Sequence, residues 1–132
     1  TYALNGTGLD ESTNTSGAYG TARDMTKLAE AFITQSPELA EATTHRSVTV
    51  LDSEGTSHTV KNTNQEVATI PGILLSKTGY TDLAGGNLVV VFDVGIGHPI
   101  AIVVLGSTHD DRFTDVAKLT KATLLYFSQD QQ

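Results

Sequence analysis

The chain contains no cysteine and no tryptophan, and only 8 of its 132 residues are lysine or arginine. Without cysteine it has no disulfide, no thiolate nucleophile and no cysteine-ligated zinc site. The formal net charge of −7 argues against a nucleic-acid partner, because phosphate binding requires a cationic protein face. The longest apolar runs, "LVVVF" and "AIVVL", are far shorter than the ~20 residues that a membrane-spanning helix needs. With 39% hydrophobic residues, the chain can still build the core of one globular domain.

The first part of the sequence predicts an extended loop followed by a helix. Residues 1–20 are rich in glycine, serine, threonine and asparagine, a composition typical of loops. Thr21 is the predicted N-cap of the helix, and Pro37 ends this helix or begins a short second one. Between them, apolar residues recur at intervals of three and four along one helix face: Met25, Leu28, Ala29, Phe32 and Ile33.

From Ser47 onwards apolar residues recur at every second position, which predicts strands. "SVTVL" and "SHTVK" flank the turn-rich "DSEG" and predict a β-hairpin. Three further strands are predicted at "GILLSKTG", "NLVVVFDV" and "PIAIVVLGS", the last two buried on both faces because valine and isoleucine are nearly continuous. The segment "DDRFTDVAKLTKATLLYF" returns to helical spacing. The predicted fold class is therefore α+β, an antiparallel sheet flanked by helices.

The tripeptide Lys77-Thr78-Gly79 ends a predicted apolar strand and carries three complementary groups. A lysine attracts an anion, a threonine hydroxyl donates a hydrogen bond to a carboxylate, and a glycine allows close approach to the backbone. These groups predict a carboxylate-binding strand. A solvated strand end before a turn is the alternative for the tripeptide taken alone. Because strand side chains alternate, we expect a twist or bulge near Gly79 to turn Lys77 and Thr78 into one cleft.

The blocks around this tripeptide resemble those of a known family. Lys-Thr-Gly is one element of the signature of β-lactamases and penicillin-binding proteins. Here it stands in "PGILLSKTGYTDLAGGNLV", preceded by "TGLDESTNTSGAYGTARDMTKLAEAFI" and "VKNTNQEV" and followed by "AIVVLGSTHDDRFTDVAKLTKATLLYF". In order and spacing these blocks resemble the serine-type D-alanyl-D-alanine carboxypeptidases, the low-molecular-mass penicillin-binding proteins. The resemblance implies a β-lactamase/transpeptidase-like domain that needs no metal or other cofactor and works outside the cytoplasmic membrane, in a parent protein associated with the membrane.

The resemblance also implies a role for each residue of the strand. Lys77 would stabilise the charge network of the active site and help to dock the substrate. Thr78 and Gly79 would form the substrate-binding edge, with Thr78 on the terminal carboxylate of the peptide. Tyr80 would supply an oxyanion-hole N–H from its backbone. The substrate implied is the stem peptide of peptidoglycan, and β-lactam antibiotics would bind at the same place.

Two further positions leave alternatives open. Arg112 matches an arginine that helps to hold the carboxylate in some family members, or it is an ordinary surface arginine beside Asp111 and Asp115. Asn62 and Asn64 of "KNTN" line the cleft, or they belong to a hydrogen-bonded loop. The histidines are dispersed without metal-ligand spacing, and "HDD" at 109–111 suits a negatively charged helix start, so no metal site is predicted.

Two motifs of the family have no counterpart here. No serine is followed three residues later by lysine, since Lys61 stands four residues after Ser57. Ser-x-Asn occurs only at residues 12–14, inside the first loop, where we regard it as chance. We therefore expect residues 1–132 to be the C-terminal portion of the catalytic domain, which pairs with the N-terminal portion that carries the nucleophile or with a second copy. The alternatives are a non-catalytic penicillin-binding-like domain, and a β-lactamase or endopeptidase of the same fold.

Overall fold

A computed structural model describes residues 1–129 of the chain. Its strands and helices follow one another as β1 (Tyr2–Ala3), β2 (Ala18–Tyr19), α1 (Ala22–Gln35), α2 (Pro37–Ala42), β3 (Ser47–Leu51), β4 (Ser57–Lys61), β5 (Ile73–Thr81), β6 (Gly85–Asp93), β7 (Pro99–Ser107) and α3 (Asp111–Gln129). A single 3₁₀ turn, Val67–Thr69, precedes β5. No helix of residues 1–129 is both long enough and apolar enough to cross a membrane.

The main sheet consists of three antiparallel strands in the order β5–β6–β7, with helices on both faces. This confirms the predicted α+β class. The central strand β6 is buried on both faces, as predicted: Val90 and Phe92 face one side, and Val91 faces the other. For β7 the same prediction holds only in part, because Ile102 is buried while Ile100, Val104 and Ala101 are half-buried against the two cores. β7 is an outer strand, so no further strand within residues 1–129 covers its side chains on that side.

Each face of the sheet has its own core. On one face, Val116 of α3 packs against Val90 and Phe92 of the central strand. On the other face, Ala29 of α1 and Ala40 of α2 pack with buried residues of β5 and β6. Alanine leaves no long side chain between helix and sheet, so these helices approach the sheet closely. The Lys77-Thr78-Gly79 segment lies at the edge of this sandwich.

Threonines cap the starts of α1 and α3. Thr21 Oγ1 accepts a hydrogen bond from the Asp24 N–H at 3.1 Å, which confirms the predicted cap of α1. At the start of α3, Thr108 Oγ1 accepts from the Asp111 N–H at 2.9 Å. This second cap fixes the first turn of α3, where Arg112 lies. The loop predicted at residues 1–20 is largely irregular, but it closes through the short β1–β2 ladder.

The predicted hairpin forms as β3 and β4, separate from the main sheet. Its turn is organised by Asp52, whose Oδ1 accepts from the N–H groups of Glu54 and Thr56, each at 2.9 Å. His58 Nε2 lies 2.8 Å from the second carboxylate oxygen of Asp52. The hydrogen bond with His58, followed by those from the turn backbone, lowers the pKa of the Asp52 carboxyl.

Candidate active site

The Lys77-Thr78-Gly79 segment lies on β5, an outer strand of the main sheet. Ser76 donates its backbone N–H to Thr43 Oγ1 at 3.0 Å, so this N–H points away from the neighbouring strand β6. Pairing with β6 is regular from Leu75 to Thr81, and N–H directions alternate along a regular antiparallel strand. The N–H groups of Thr78 and Tyr80 therefore point off the same outer edge as that of Ser76.

The bulge predicted near Gly79 is absent from that place, and the prediction is wrong. The irregularity of β5 lies between Ile73 and Leu75, whereas Lys77, Thr78 and Gly79 each pair in register with a residue of β6. Lys77 and Thr78 therefore point to opposite faces of the strand. Both nevertheless border one cavity, because no strand within residues 1–129 pairs with the outer edge of β5. Lys77 is exposed and its ammonium donates to the carbonyl oxygen of Thr78.

The cavity at this edge has a volume of about 520 Å³ and a cationic, hydroxyl-rich wall. Lys77 and Arg112 supply the two positive charges, and Thr63 and Thr78 supply hydroxyl groups. No aspartate or glutamate of residues 1–129 lines it. Such a wall suits a small anion that can accept several hydrogen bonds, as a carboxylate does.

Arg112 is buried, with only 5% of its surface exposed, so the surface-arginine alternative is wrong. Its Nη1 donates to the carbonyl oxygen of Gly79 at 2.7 Å, which joins the start of α3 to the site strand. The guanidinium carbon lies 4.7 Å from the ring centroid of Phe113, a cation–π distance. Its Nε is buried and has no hydrogen-bond partner among the described residues.

Thr63 is the site residue that sequence reasoning missed. Its Oγ1 lies 2.5 Å from Thr78 Oγ1, and it borders the same cavity. The sequence points to the flanking Asn62 and Asn64 instead, but their amides bond within the fold, to the backbone of Thr43 and to the hydroxyl of Ser76. These bonds agree with the second alternative for the two asparagines, a hydrogen-bonded loop. The only sequence signal for Thr63 was its position between two asparagines just ahead of the strand.

The rim of the cavity is formed by Tyr80 and by the first loop of the chain. The Tyr80 ring stands edge-to-face against His109, with centroids 5.0 Å apart. Asp10 accepts from the Leu83 N–H at 3.2 Å, which holds the first loop against the β5–β6 turn, and Leu9 borders the cavity. Within residues 1–129 no group of three or more histidine, aspartate or glutamate side chains could hold a metal ion.

Comparison with solved structures shows relatives of the same architecture. Penicillin-binding protein D2 from Listeria monocytogenes is 29% identical to this chain. Its ampicillin-bound structure gives a TM-score of 0.69 and its cefotaxime-bound structure a TM-score of 0.67. Each match covers 86% of this chain and 44% of the Listeria monocytogenes chain. The D-alanyl-D-alanine carboxypeptidase from Mycobacterium tuberculosis H37Rv is 25% identical, with a TM-score of 0.63 over 87% of this chain and 44% of that one. The chain thus spans less than half the length of these relatives. No curated protein matches it significantly.

A family model provides the assignment. The model that describes D-alanyl-D-alanine carboxypeptidases matches residues 1–109, which is most of the chain and includes the whole of the site strand. The Mycobacterium tuberculosis relative, which is named a D-alanyl-D-alanine carboxypeptidase, agrees with that match. The chain therefore belongs to the D-alanyl-D-alanine carboxypeptidase family.

Proposed function

We propose that the protein to which this chain belongs is a serine D-Ala-D-Ala carboxypeptidase that processes the stem peptide of peptidoglycan outside the cytoplasmic membrane. The observation that carries the proposal is the cavity on the outer edge of β5, which combines Lys77, Arg112 and the Thr78 hydroxyl with no acidic side chain from residues 1–129. The family match supports a peptide substrate for this proposed carboxylate-binding wall. A peptide ending in D-Ala-D-Ala presents such a carboxylate at its terminus.

Thr78 and Arg112 would bind the terminal carboxylate together. The Thr78 hydroxyl can donate to one carboxylate oxygen, while the positive charges of Lys77 and Arg112 lower the electrostatic free energy of the bound anion. Arg112 is held by Gly79 on one side, so its guanidinium is already oriented before the peptide arrives. These contacts would align the substrate along β5, with its scissile carbonyl beyond Thr78 in the direction of Tyr80.

Tyr80 would stabilise the reacting carbonyl through its backbone. Its N–H points off the outer edge of β5, two residues beyond Thr78, where an oxyanion could accept a hydrogen bond. A serine oxygen attacks the carbonyl carbon of the penultimate D-alanine, the peptide C–N bond breaks, and D-alanine leaves with a proton on its amine. Water then hydrolyses the resulting ester and returns the proton to the serine oxygen.

The serine and its lysine partner would come from a part of the protein outside residues 1–132. No serine here is followed by lysine at the family spacing, whereas the site strand is complete. The match covers 44% of each solved relative, so more than half of each relative lies outside the matched region. That remainder is long enough to include the segment that carries the serine and the lysine. We propose that this chain is the C-terminal portion of the catalytic domain and forms one wall of a shared active site.

β-Lactam antibiotics would bind to the same wall. The Listeria monocytogenes relative was solved with ampicillin and with cefotaxime bound. Both compounds carry a carboxylate, the group that Thr78 and Arg112 are proposed to hold. We propose that a β-lactam acylates the serine of the complete enzyme while its carboxylate rests on this strand.

A substitution at Thr78 tests the proposal in the complete enzyme. Thr78→Val keeps the shape of the side chain but removes the hydroxyl, and one hydrogen bond to a charged group contributes roughly 1.5–3 kcal/mol. We expect kcat/KM for a D-Ala-D-Ala peptide to fall about ten- to hundredfold, with an unchanged melting temperature. Thr59→Val, on the exposed hairpin, is the matched control and should retain full activity.

The measured activities also separate the alternatives. The absence of Ser-x-x-Lys from this chain favours a non-catalytic binding domain as the second candidate. That candidate predicts β-lactam or peptide binding without covalent labelling and without release of D-alanine. An unchanged kcat/KM in Thr78→Val would remove Thr78 from the site. Hydrolysis of penicillin in preference to the peptide would identify a β-lactamase instead.

A further inference from the structure

The loop before β5 places a second threonine hydroxyl on the proposed carboxylate site. Thr63 Oγ1 lies 2.5 Å from Thr78 Oγ1, and both side chains border the same cavity. We infer that Thr63 is a positioning residue that sets the direction in which the Thr78 hydroxyl donates to the substrate carboxylate. The inference rests on the proposed function, because it concerns how Thr78 binds that carboxylate.

Asn62, directly before Thr63, ties the loop to the link between α2 and β3. Its amide nitrogen donates to the carbonyl oxygens of Thr43 at 2.7 Å and His45 at 2.9 Å. Its side-chain oxygen accepts from the backbone N–H of Asn64 at 2.9 Å. Because both ends of the amide are bonded, the backbone on this side of Thr63 is held in one conformation.

Asn64, directly after Thr63, ties the same loop to the site strand. It is 1% exposed, and its amide nitrogen donates to Ser76 Oγ at 2.9 Å. Its side-chain oxygen accepts from the Glu66 N–H at 3.0 Å. Ser76 lies two residues before Thr78 on the same face of β5, so the loop and the site strand are joined where the two threonines meet.

The chemistry of a hydroxyl explains what this contact does. A threonine hydroxyl has one proton to donate and two lone pairs that accept. When Thr63 donates to Thr78 Oγ1, the proton of Thr78 is left to point into the cavity, where Lys77 and Arg112 attract an anion. A carboxylate accepts and cannot donate, so it favours this arrangement over the reverse one. Thr63 thus acts through Thr78 and does not touch the reacting atoms.

The test uses the complete enzyme with Thr63→Val, Thr63→Ser, Thr78→Val and the double variant Thr63→Val/Thr78→Val. We expect Thr63→Val to lower kcat/KM for a D-Ala-D-Ala peptide about five- to tenfold, the effect of one hydrogen bond. Thr63→Ser keeps the hydroxyl and should restore most of the activity. The double variant should be no less active than Thr78→Val alone, because Thr63 acts through Thr78.

A matched control separates this role from a general effect of losing a hydroxyl. The hydroxyls of Thr49 and Thr59 form another pair, 3.4 Å apart on the exposed hairpin, so Thr49→Val should leave kcat/KM unchanged. If Thr63→Val lowers the melting temperature, Thr63→Ala provides the same comparison without the branched side chain.

The outcomes distinguish this inference from the proposed function. Unchanged kcat/KM in both Thr63→Val and Thr63→Ala, or losses that add in the double variant, would overturn the role of Thr63 while the proposed function stands. If the unmodified enzyme releases no D-alanine, the proposed function itself fails, and this inference fails with it.

Discussion

Arg112 is 5% exposed, and no carboxylate within the described part of the chain lies at ion-pair distance from it. Burying a cation without an anion costs free energy, and the Gly79 carbonyl and the Phe113 ring offset only part of that cost. An anion in the adjoining cavity would be the remaining partner. Arg112, which costs free energy to bury, would therefore favour a carboxylate ligand in this cavity.

Two glycines of the sheet should respond differently to an added methyl group. At Gly86 a Cβ would lie 1.9 Å from the carbonyl oxygen of Thr108, a backbone atom just before α3. At Gly79 the nearest atom would be the Asn87 Cβ at 3.7 Å, an ordinary contact. We expect Gly86→Ala to lower the free energy of unfolding by about 1–3 kcal/mol. Gly79→Ala should fold normally but lose turnover, because its methyl takes space where the substrate approaches the strand.

Urea denaturation of the complete enzyme measures the first effect, and release of D-alanine measures the second. Equal free energies of unfolding for the two variants would contradict the packing argument at Gly86. A fully active Gly79→Ala would show that close approach to this strand position is not needed.

At the scale of an element, the β3–β4 hairpin should show a pH-dependent stability that comes from Asp52. Hydrogen bonds from His58 and the turn backbone lower the pKa of this carboxyl in the folded state. Its stabilising contribution is therefore complete above the unfolded-state pKa of about 3.9 and is lost as pH falls through the lower folded-state pKa. Asp52→Asn keeps a side-chain oxygen for the turn but removes the charge, so it should be less stable than the wild type near neutral pH.

The measurement is the melting temperature of both proteins from neutral pH down through the acid range. The difference between them should shrink as the pH falls below about 4. Thr49→Val, which changes no titratable group on the same exposed hairpin, is the control and should not show this convergence. A difference that stays constant with pH would mean that the charge of Asp52 does not stabilise the hairpin.

The helices and strands in which apolar residues recur at regular spacing could be predicted from the sequence. The features that depend on contacts with other segments of the chain could not. The helix after Thr21, the hairpin, the three strands and the last helix all follow from spacing. The partial exposure of β7 could not be predicted. The segment "PIAIVVLGS" is equally apolar in a central strand, which is flanked on both sides, and in an outer strand, which is flanked on one side. The contact of Thr63 with Thr78 depends on the path of a loop, which no local pattern specifies.

At the scale of the whole molecule, the two outer strands of the three-stranded sheet each pair with one strand within residues 1–129. Exposed backbone groups on a sheet edge favour pairing with another chain or segment. Large apolar side chains also remain exposed on the outer elements, among them Leu28 on α1, Leu105 on β7 and Leu125 on α3. We therefore expect residues 1–132 to be poorly stable alone and to fold well beside the N-terminal portion of the domain or a second copy.

The division of the active site gives the last prediction. Purified residues 1–132 should neither release D-alanine nor become labelled by a fluorescent penicillin, because no serine stands at the family spacing from a lysine. Addition of the N-terminal portion should produce labelling on that added portion, since it would carry the serine that is acylated. Gel electrophoresis separates the two polypeptides and shows which one is fluorescent. Fluorescence on residues 1–132 would reveal a nucleophile within this chain and would overturn the shared active site. Labelling of the added portion that needs residues 1–132 and becomes slower with Thr78→Val would support it.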